Sequence, residues 1–92
     1  MQFNVSIGTT AQKVAAVRHD DQVLDILVQN NSANNLYLGD DASVSTTSGT
    51  KIAPSGGLWA NDKRRSDVFL IADGSPSDVR VTLEIYKGGT RG

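Results

Sequence analysis

The stretch Val79–Tyr86 reads V-R-V-T-L-E-I-Y, and it alternates apolar and polar residues along its whole length. Successive side chains of a β-strand point to opposite faces of the sheet, so the two valines, the leucine and the isoleucine share one face. The arginine, threonine, glutamate and tyrosine share the other. A strand of this kind buries one face and leaves the other in water, as strands of antiparallel sheets do. The stretch therefore predicts an antiparallel sheet with one solvated face.

Other short apolar runs are separated by clusters of Asn, Asp, Ser, Gly and Pro, which favour turns. Turn signals recur roughly every 8–12 residues, the spacing typical of a sandwich or small barrel. The clearest predicted strands are Phe3–Ile7, Gln22–Gln29, Leu36–Gly39, Lys51–Ala53, Leu58–Ala60, Val68–Ala72 and Val79–Tyr86. We predict an all-β fold, a small antiparallel β-sandwich of jelly-roll-like or Greek-key type with about seven to eight short strands.

Three segments have less decided patterns. Gln12–Arg18 fits a strand or one helical turn, and we interpret it as a strand. The Ser- and Thr-rich Ala42–Thr50 is either a surface loop or a weak edge strand around Val44. Asn61–Asp67 is highly charged, and we predict a long exposed hairpin loop there.

The chain of 92 residues predicts a single domain, 1–92, with one core. Residues 1–4 are expected to form an N-terminal arm and residues 87–92 a frayed C-terminal tail. Nine of the ten acidic residues are Asp, which favours turns over helices. Because only 38% of the residues are apolar, we expect stabilisation by a partner or by further copies of the chain.

Charge and residue types argue against several functional classes. The formal net charge is −1, whereas a nucleic-acid-binding domain is strongly basic. Without cysteine, the chain has no disulfide, thiolate zinc site or cysteine nucleophile. The N-terminal residues do not resemble a signal peptide, and no apolar run is long enough to span a bilayer. We therefore expect no nucleic-acid partner, no membrane partner and synthesis in the cytoplasm.

No catalytic or metal centre is expected from the remaining polar residues. The single histidine, His19, precedes Asp20 and Asp21 in a predicted surface turn, where no pocket would tune its pKa. The pair Asp40 and Asp41, and Asp73 with Asp78, offer carboxylates for calcium, but neither segment has the spacing of a calcium loop. We interpret these carboxylates as turn residues. Asn30-Asn31-Ser32 matches a glycosylation acceptor and is likewise interpreted as a turn.

The only basic cluster, Lys63-Arg64-Arg65, is interpreted as a solvated loop or as a contact for an acidic protein surface. Trp59 either packs in the core or faces outward to stack on a sugar ring or anchor an interface. In Leu58-Trp59-Ala60, the tryptophan lies on the face opposite to its two neighbours. The sequence leaves both pairs of alternatives open.

From Ile26 to Ile85 the motifs follow one another in a familiar order. They are I-L-V-Q-N-N-S-A-N-N, L-Y-L-G-D-D, V-S-T-T-S-G, K-I-A-P-S-G-G-L and V-F-L-I-A-D-G-S-P-S-D-V-R-V-T-L-E. This order resembles small virion proteins of tailed bacteriophages, the capsid decoration (cement) proteins and related head accessory proteins with a β-sandwich fold. The charged segment Asn61–Asp67 departs from that pattern, where a shorter apolar or Ser/Thr stretch is usual.

The resemblance implies a non-enzymatic protein, without cofactor or metal, that binds the outer capsid surface and stabilises the shell. It implies the major capsid protein as partner, a homo-oligomer with a trimer favoured, and residence on the virion. Our candidate contact residues for the capsid or for further copies are Gln2, Phe3, Asn4, Trp59, Lys63, Arg64 and Arg65. The alternative function is a carbohydrate- or receptor-binding module of a tail fibre or head fibre, with Trp59, Asp40 and Asp41 lining a sugar site.

Overall fold

A computed structural model of the chain describes residues 1–16 and 22–87, with the backbone alone for Gln22, Lys63, Tyr86 and Lys87. This described part contains eight strands and no helix long and apolar enough to cross a membrane. The strands are β1 (Gln2–Ile7), β2 (Gln12–Ala15), β3 (Gln22–Asn30), β4 (Leu36–Gly39), β5 (Thr50–Ile52), β6 (Gly57–Arg64), β7 (Val68–Ala72) and β8 (Ser77–Lys87). The predicted all-β sandwich is confirmed.

The strands form two four-stranded antiparallel sheets. Sheet I has the order β1-β8-β3-β6, and sheet II has the order β2-β7-β4-β5. The first strand thus pairs with the last, the second with the seventh, the third with the sixth and the fourth with the fifth. This nested pairing of eight strands over two sheets is the jelly-roll arrangement, one of the two sandwich types expected from the sequence.

The core lies between the two sheets and consists of their inward-facing aliphatic side chains. In β8, Val79, Val81 and Leu83 are buried while the residues between them are exposed, as the alternation predicts. Ile85 shares their face but is 45% exposed, because it lies towards the end of the strand. The core residues are Ile7, Ala15, Leu24, Ile26, Val28, Leu36, Leu38, Ile52, Val68, Leu70, Ala72, Val79, Val81 and Leu83.

The structure corrects the expected N-terminal arm. Residues 2–4 belong to β1, where Gln2 and Asn4 lie opposite Thr82 and Arg80 of β8. The amide of Leu83 also donates to the Met1 carbonyl at 2.7 Å. The segment pairs because Phe3 and Val5 pack against the core and offset the entropy lost on ordering.

The charged hairpin loop is also shorter than predicted. Residues 61–64 continue β6, and one extra residue is accommodated opposite β3, where the register shifts between Leu24 and Ile26. A bulge of this kind lets a strand carry consecutive polar residues at a sheet edge. Of the predicted loop, only residues 65–67 connect β6 to β7.

The ambiguous segment Ala42–Thr50 is a loop of turns up to β5 rather than an edge strand. Val44 is buried within it. Residues 12–15 form β2, while Val17 and Arg18 lie outside the described residues, as do the predicted turn at His19 and the end of the tail beyond residue 87.

A cluster of polar side chains closes one end of the sandwich; we call it the asparagine cluster. Asn30, which is 0% exposed, donates from Nδ2 to the carbonyls of Asn34 (2.8 Å) and Ile52 (3.2 Å). Its Oδ1 accepts from the Ser32 amide (3.1 Å) and hydroxyl (2.7 Å). The cluster comprises Asn30, Ser32, Asn34, Asn35, Asp73 and Ser77.

The same cluster joins three loops that are distant in sequence. Asn34 Nδ2 donates to Ser77 Oγ at 3.0 Å, and Asn35 donates from its backbone and side chain to the two oxygens of Asp73. A Cβ at Gly74 would lie 2.5 Å from Asn34 Oδ1, so a larger residue there would displace the Asn34 side chain from its bond to Ser77. No described buried side-chain nitrogen or oxygen lacks a partner. The cluster therefore holds the β3–β4, β5–β6 and β7–β8 connections together.

Replacing Asn30 is expected to destabilise the protein. In Asn30→Ala, the carbonyls of Asn34 and Ile52 lose a buried donor, which costs roughly 2–3 kcal/mol of unfolding free energy. Asn31→Ala, at the exposed neighbouring position, should stay within about 0.5 kcal/mol of the parent. Urea unfolding followed by circular dichroism measures both variants, and equal midpoints for the two would contradict the assigned role.

Candidate functional site

The predicted contact residues do not form one surface. Gln2, Phe3 and Asn4 are in edge strand β1, while Trp59, Lys63 and Arg64 are in β6, the opposite edge of sheet I. Three strand spacings, about 14 Å, separate the two edges. Gln2 and Asn4 are exposed, whereas Phe3 packs inward against the core.

Trp59 is half-buried and packs against the hydrophobic core. Of the two placements that the sequence left open, core packing therefore applies to part of the side chain. It lies opposite Val28 of β3, on the side of the sandwich where β6 and β5 contact each other. Its neighbours on the strand, Leu58 and Ala60, are therefore the residues that point outward. The outward face of this tripeptide is apolar and exposed.

Arg64 is held in place by the protein and is not part of a solvated loop. Its guanidinium carbon lies 5.4 Å from the centre of the Trp59 ring, within the range of a cation–π contact. Arg64 Nε donates to the Ser66 carbonyl and Nη2 to the Asp67 carbonyl, both at 3.1 Å. Nη2 also pairs with Asp40 Oδ1, and the Arg64 side chain is only 11% exposed. Arg65, by contrast, is exposed.

Trp59 and Arg64 line a cavity of about 450 Å³ together with the β4–β5 loop; we call it the Trp59 cavity. Its apolar part comes from Trp59, Leu38 and Val44, and its polar part from hydroxyls, carboxylates and the guanidinium. The other lining residues are Gly39, Asp40, Asp41, Ser43, Ser48, Thr50 and Arg64. The structure thus brings together Trp59, Asp40 and Asp41, the residues that the alternative function places at a sugar site.

The β4–β5 loop that forms one wall of this cavity is fixed by Val44. A Cβ at Gly39 would lie 2.7 Å from Val44 Cβ, so the loop packs closely on the end of β4. The Gly49 amide donates to the Ser45 carbonyl at 3.0 Å, and Ser45 and Ser48 hydroxyls lie 3.0 Å apart. These contacts give the loop a defined shape despite its Ser- and Thr-rich sequence.

Asp41 has a perturbed ionisation within the loop. Its carboxylate accepts hydrogen bonds from the Ser43 hydroxyl and from the Ser43 amide, the latter at 2.9 Å. The hydroxyl bond, and then the amide bond, lower the pKa of the Asp41 carboxyl below its ordinary value because both stabilise the charged form. Asp41 is therefore ionised throughout the neutral pH range.

Three of the four carboxylates considered for calcium have protein partners. Asp40 pairs with Arg64, Asp41 accepts from Ser43, and both oxygens of Asp73 accept from Asn35. Among residues 1–16 and 22–87 no group of three or more His, Asp or Glu is placed to hold a metal ion. Asn30 of the glycosylation motif is fully buried and serves the asparagine cluster. His19 lies outside the described residues.

An apolar surface that the sequence analysis did not select lies on the outer face of sheet I. Leu27 of β3 is 38% exposed and lies directly opposite Ala60 of β6, and Leu58 nearby is 62% exposed. We call these three residues the leucine patch. A shallow concavity includes Leu27 and Ala60 of the patch, and its other lining residues are Asp25, Ile26, Asn61, Asp62, Thr82 and Glu84. The sequence feature that could have revealed the leucine patch is the outward side of β3, half of whose residues are apolar.

Removing the Ser43 hydroxyl is expected to raise the pKa of Asp41. The stabilisation from a depressed carboxyl pKa is present above the unfolded-state pKa and is lost as the pH falls through the folded-state value. Ser43→Ala should therefore move the Asp41 titration to higher pH, whereas Ser45→Ala, which removes no bond to Asp41, should leave it unchanged. Carboxyl-carbon NMR titration measures this, and an Asp41 pKa at or above the ordinary value in the parent would contradict the assignment.

Comparison with known proteins identifies no relative of this chain. Protein-family models, curated protein sequences and solved structures gave no match to the chain. A jelly roll by itself serves many functions, so the fold alone does not assign one. Function has to be inferred from the surfaces described above and from the order of the sequence motifs.

Proposed function

We propose that this chain is a bacteriophage virion protein that binds the outer capsid surface and stabilises the shell. In this proposal its partner is the major capsid protein, and it associates with itself, with a trimer favoured. It is made in the host cytoplasm, resides on the capsid surface and has no enzymatic activity. The role is that of a decoration or cement protein.

The observation that carries the proposal is that three of the sequence motifs on which the resemblance rests lie together in the fold. The Asn-rich break supplies Asn30, Ser32 and Asn34, the A-P-S-G-G turn supplies the amides of Ser55 and Gly56, and the D-G-S-P-S segment supplies Asp73 and Ser77. The Ser55 amide donates to the Ser32 carbonyl at 2.9 Å and the Gly56 amide to the Asn30 carbonyl at 2.7 Å. Segments about 40 residues apart thus build one cluster. The shared motif order therefore encodes a three-dimensional arrangement, which supports the resemblance more strongly than separate turns would.

The leucine patch is the surface best suited to the capsid. Apolar side chains exposed on a sheet face indicate protein contact more directly than single polar ones do. Leu27 and Leu58 lie on adjacent strands of sheet I, and Gln2 and Asn4 extend the same face at the β1 edge. Of the residues predicted from the sequence, Gln2, Asn4 and Arg65 are exposed at this sheet or its end, while Phe3, Trp59 and Arg64 are committed to the fold.

Weak contacts of this kind suffice on a repetitive lattice. A patch of three apolar residues gives modest affinity for one capsid subunit. Bridging two or more subunits makes the second contact intramolecular and raises the total affinity by orders of magnitude. A small domain with one exposed apolar face meets that requirement without a deep binding groove.

The proposal is tested by adding the purified chain to phage capsids assembled without it and sedimenting the particles. We expect saturable uptake at a copy number in fixed ratio to the major capsid protein, together with greater resistance of the particles to heat. Uptake of only a few copies per particle, or none, would contradict a cementing role and would instead favour a vertex or tail position.

Variants of the leucine patch should separate docking from folding. The double variant Leu27→Gln, Leu58→Gln should bind capsids at least about tenfold more weakly. Each substitution removes most of the free energy gained when the exposed leucine is buried against the capsid. Lys51→Gln, exposed on sheet II, is the matched control and should bind like the parent. Thermal unfolding confirms that the variants are folded, and unchanged capsid occupancy of the double variant would exclude this face.

A further inference from the structure

We propose that the Trp59 cavity binds a neutral saccharide. The cavity lies at the side of the sandwich where β5 and β6 meet, away from the outer face of sheet I that carries the leucine patch. Its volume of about 450 Å³ falls within the roughly 300–1,000 Å³ usual for small-molecule sites. The inference goes beyond capsid binding and does not depend on it.

Trp59 supplies the apolar surface that a sugar ring needs. One part of the indole packs on the core and Arg64 lies over the ring, so its orientation is fixed before any ligand arrives. The exposed part of the side chain lines the cavity beside Leu38 and Val44. The part of the ring that neither the core nor Arg64 covers offers an apolar contact at little entropic cost.

The polar lining matches the hydroxyl groups of a sugar. Asp40 and Asp41 provide carboxylate oxygens, which only accept hydrogen bonds at neutral pH. Thr50 provides a hydroxyl that can donate and accept. The Ser43 hydroxyl already donates to Asp41 and can still accept, and the Ser48 hydroxyl is shared with Ser45. A sugar hydroxyl also donates and accepts, so neighbouring hydroxyls can be held by one carboxylate and one serine or threonine. The combination of an apolar wall and dense oxygen partners favours a polyol over an apolar ligand.

The charge of the cavity selects against acidic ligands. Among the described side chains that line it, the charged ones are two carboxylates and one guanidinium. The guanidinium is neutralised by Asp40 and satisfied by two backbone carbonyls. Asp41 stays ionised because its hydrogen bonds with Ser43 favour the charged form. A phosphate, sulfate or sugar acid would meet an unneutralised carboxylate, so a neutral glycan fits best.

The test uses an array of neutral and acidic oligosaccharides, followed by titration of the hits against the parent protein. Trp59 is the single tryptophan, so its fluorescence reports directly on occupation of the cavity. We expect neutral glycans to bind and to change the emission of Trp59. Absence of binding at millimolar concentration, or binding of acidic glycans alone, would overturn the inference.

Variants locate the binding to the cavity. Asp41→Ala and Trp59→Ala should each weaken binding of the best neutral hit at least tenfold, whereas Leu58→Ala should bind like the parent. Leu58 is next to Trp59 on β6 but points to the opposite face. Asp41 is exposed on a loop, so its variant remains informative where Trp59→Ala fails to fold. Retained binding in Asp41→Ala, or equal loss in Leu58→Ala, would overturn the assignment to this cavity.

These outcomes are separate from those of the capsid experiment. Leu58 is tested as part of the docking surface there and as the neutral control here. If the parent protein binds a neutral glycan but is not taken up by capsids, only the proposed function is rejected. If it is taken up by capsids but binds no glycan, only the saccharide site is rejected.

Discussion

The fold depends on the buried side-chain amide of Asn30, which belongs to a hydrogen-bonded cluster that joins three loops. Asn30 ends β3 inside the sandwich, where an unpaired polar group would be costly, and its side chain satisfies carbonyls of Asn34 and Ile52 together with the amide of Ser32. Asn34 and Asn35 then reach the β7–β8 connection. In a nested pairing of strands, the alignment of each pair depends on the loops that turn the chain, so this cluster fixes the register of both sheets at that end.

The opposite end is closed by a different chemistry. Consecutive strands traverse the sandwich in alternate directions, so the β4–β5 and β6–β7 loops lie at the end away from the asparagine cluster. There Arg64 links Asp40 to the backbone of Ser66 and Asp67 and also lies over Trp59. The hydrogen bonds of a guanidinium fork at fixed angles, which suits joining several acceptors at once. One end is thus held by hydrogen bonds centred on asparagine side chains, and the other end by an ion pair that borders the Trp59 cavity.

This division separates the two proposed surfaces. The leucine patch lies on the outward face of sheet I, where burial of core residues on the other face fixes the strands beneath it. The cavity lies at the sheet edges and uses loop residues whose positions depend on Val44 and Arg64. In the proposed role, the face that carries the leucine patch would dock on the capsid while the edge with the cavity stays open to a ligand.

The sequence predicted the strands well where alternation was strong, but it could not show which candidate site residues lie together in the fold. β4 and β7 begin and end at the predicted residues, and β8 extends the predicted strand. The expected loop at Asn61–Asp67 was wrong because charge was taken to exclude a strand, whereas an edge strand tolerates charge on its solvent side. Arg64 and Asp40 are 24 residues apart, so their pairing depends on the tertiary fold. No local pattern signals a contact of that kind.

Amide hydrogen exchange of the native protein, followed residue by residue by NMR, tests the central claim most directly. The amides of Asn31, Ser55 and Gly56 lie in turns but donate to carbonyls of Asp78, Ser32 and Asn30. If the asparagine cluster fixes the fold, these amides exchange as slowly as those of β3 and β8, because they open only with global unfolding. Exchange at the rate of exposed turns, while β3 and β8 remain protected, would contradict it.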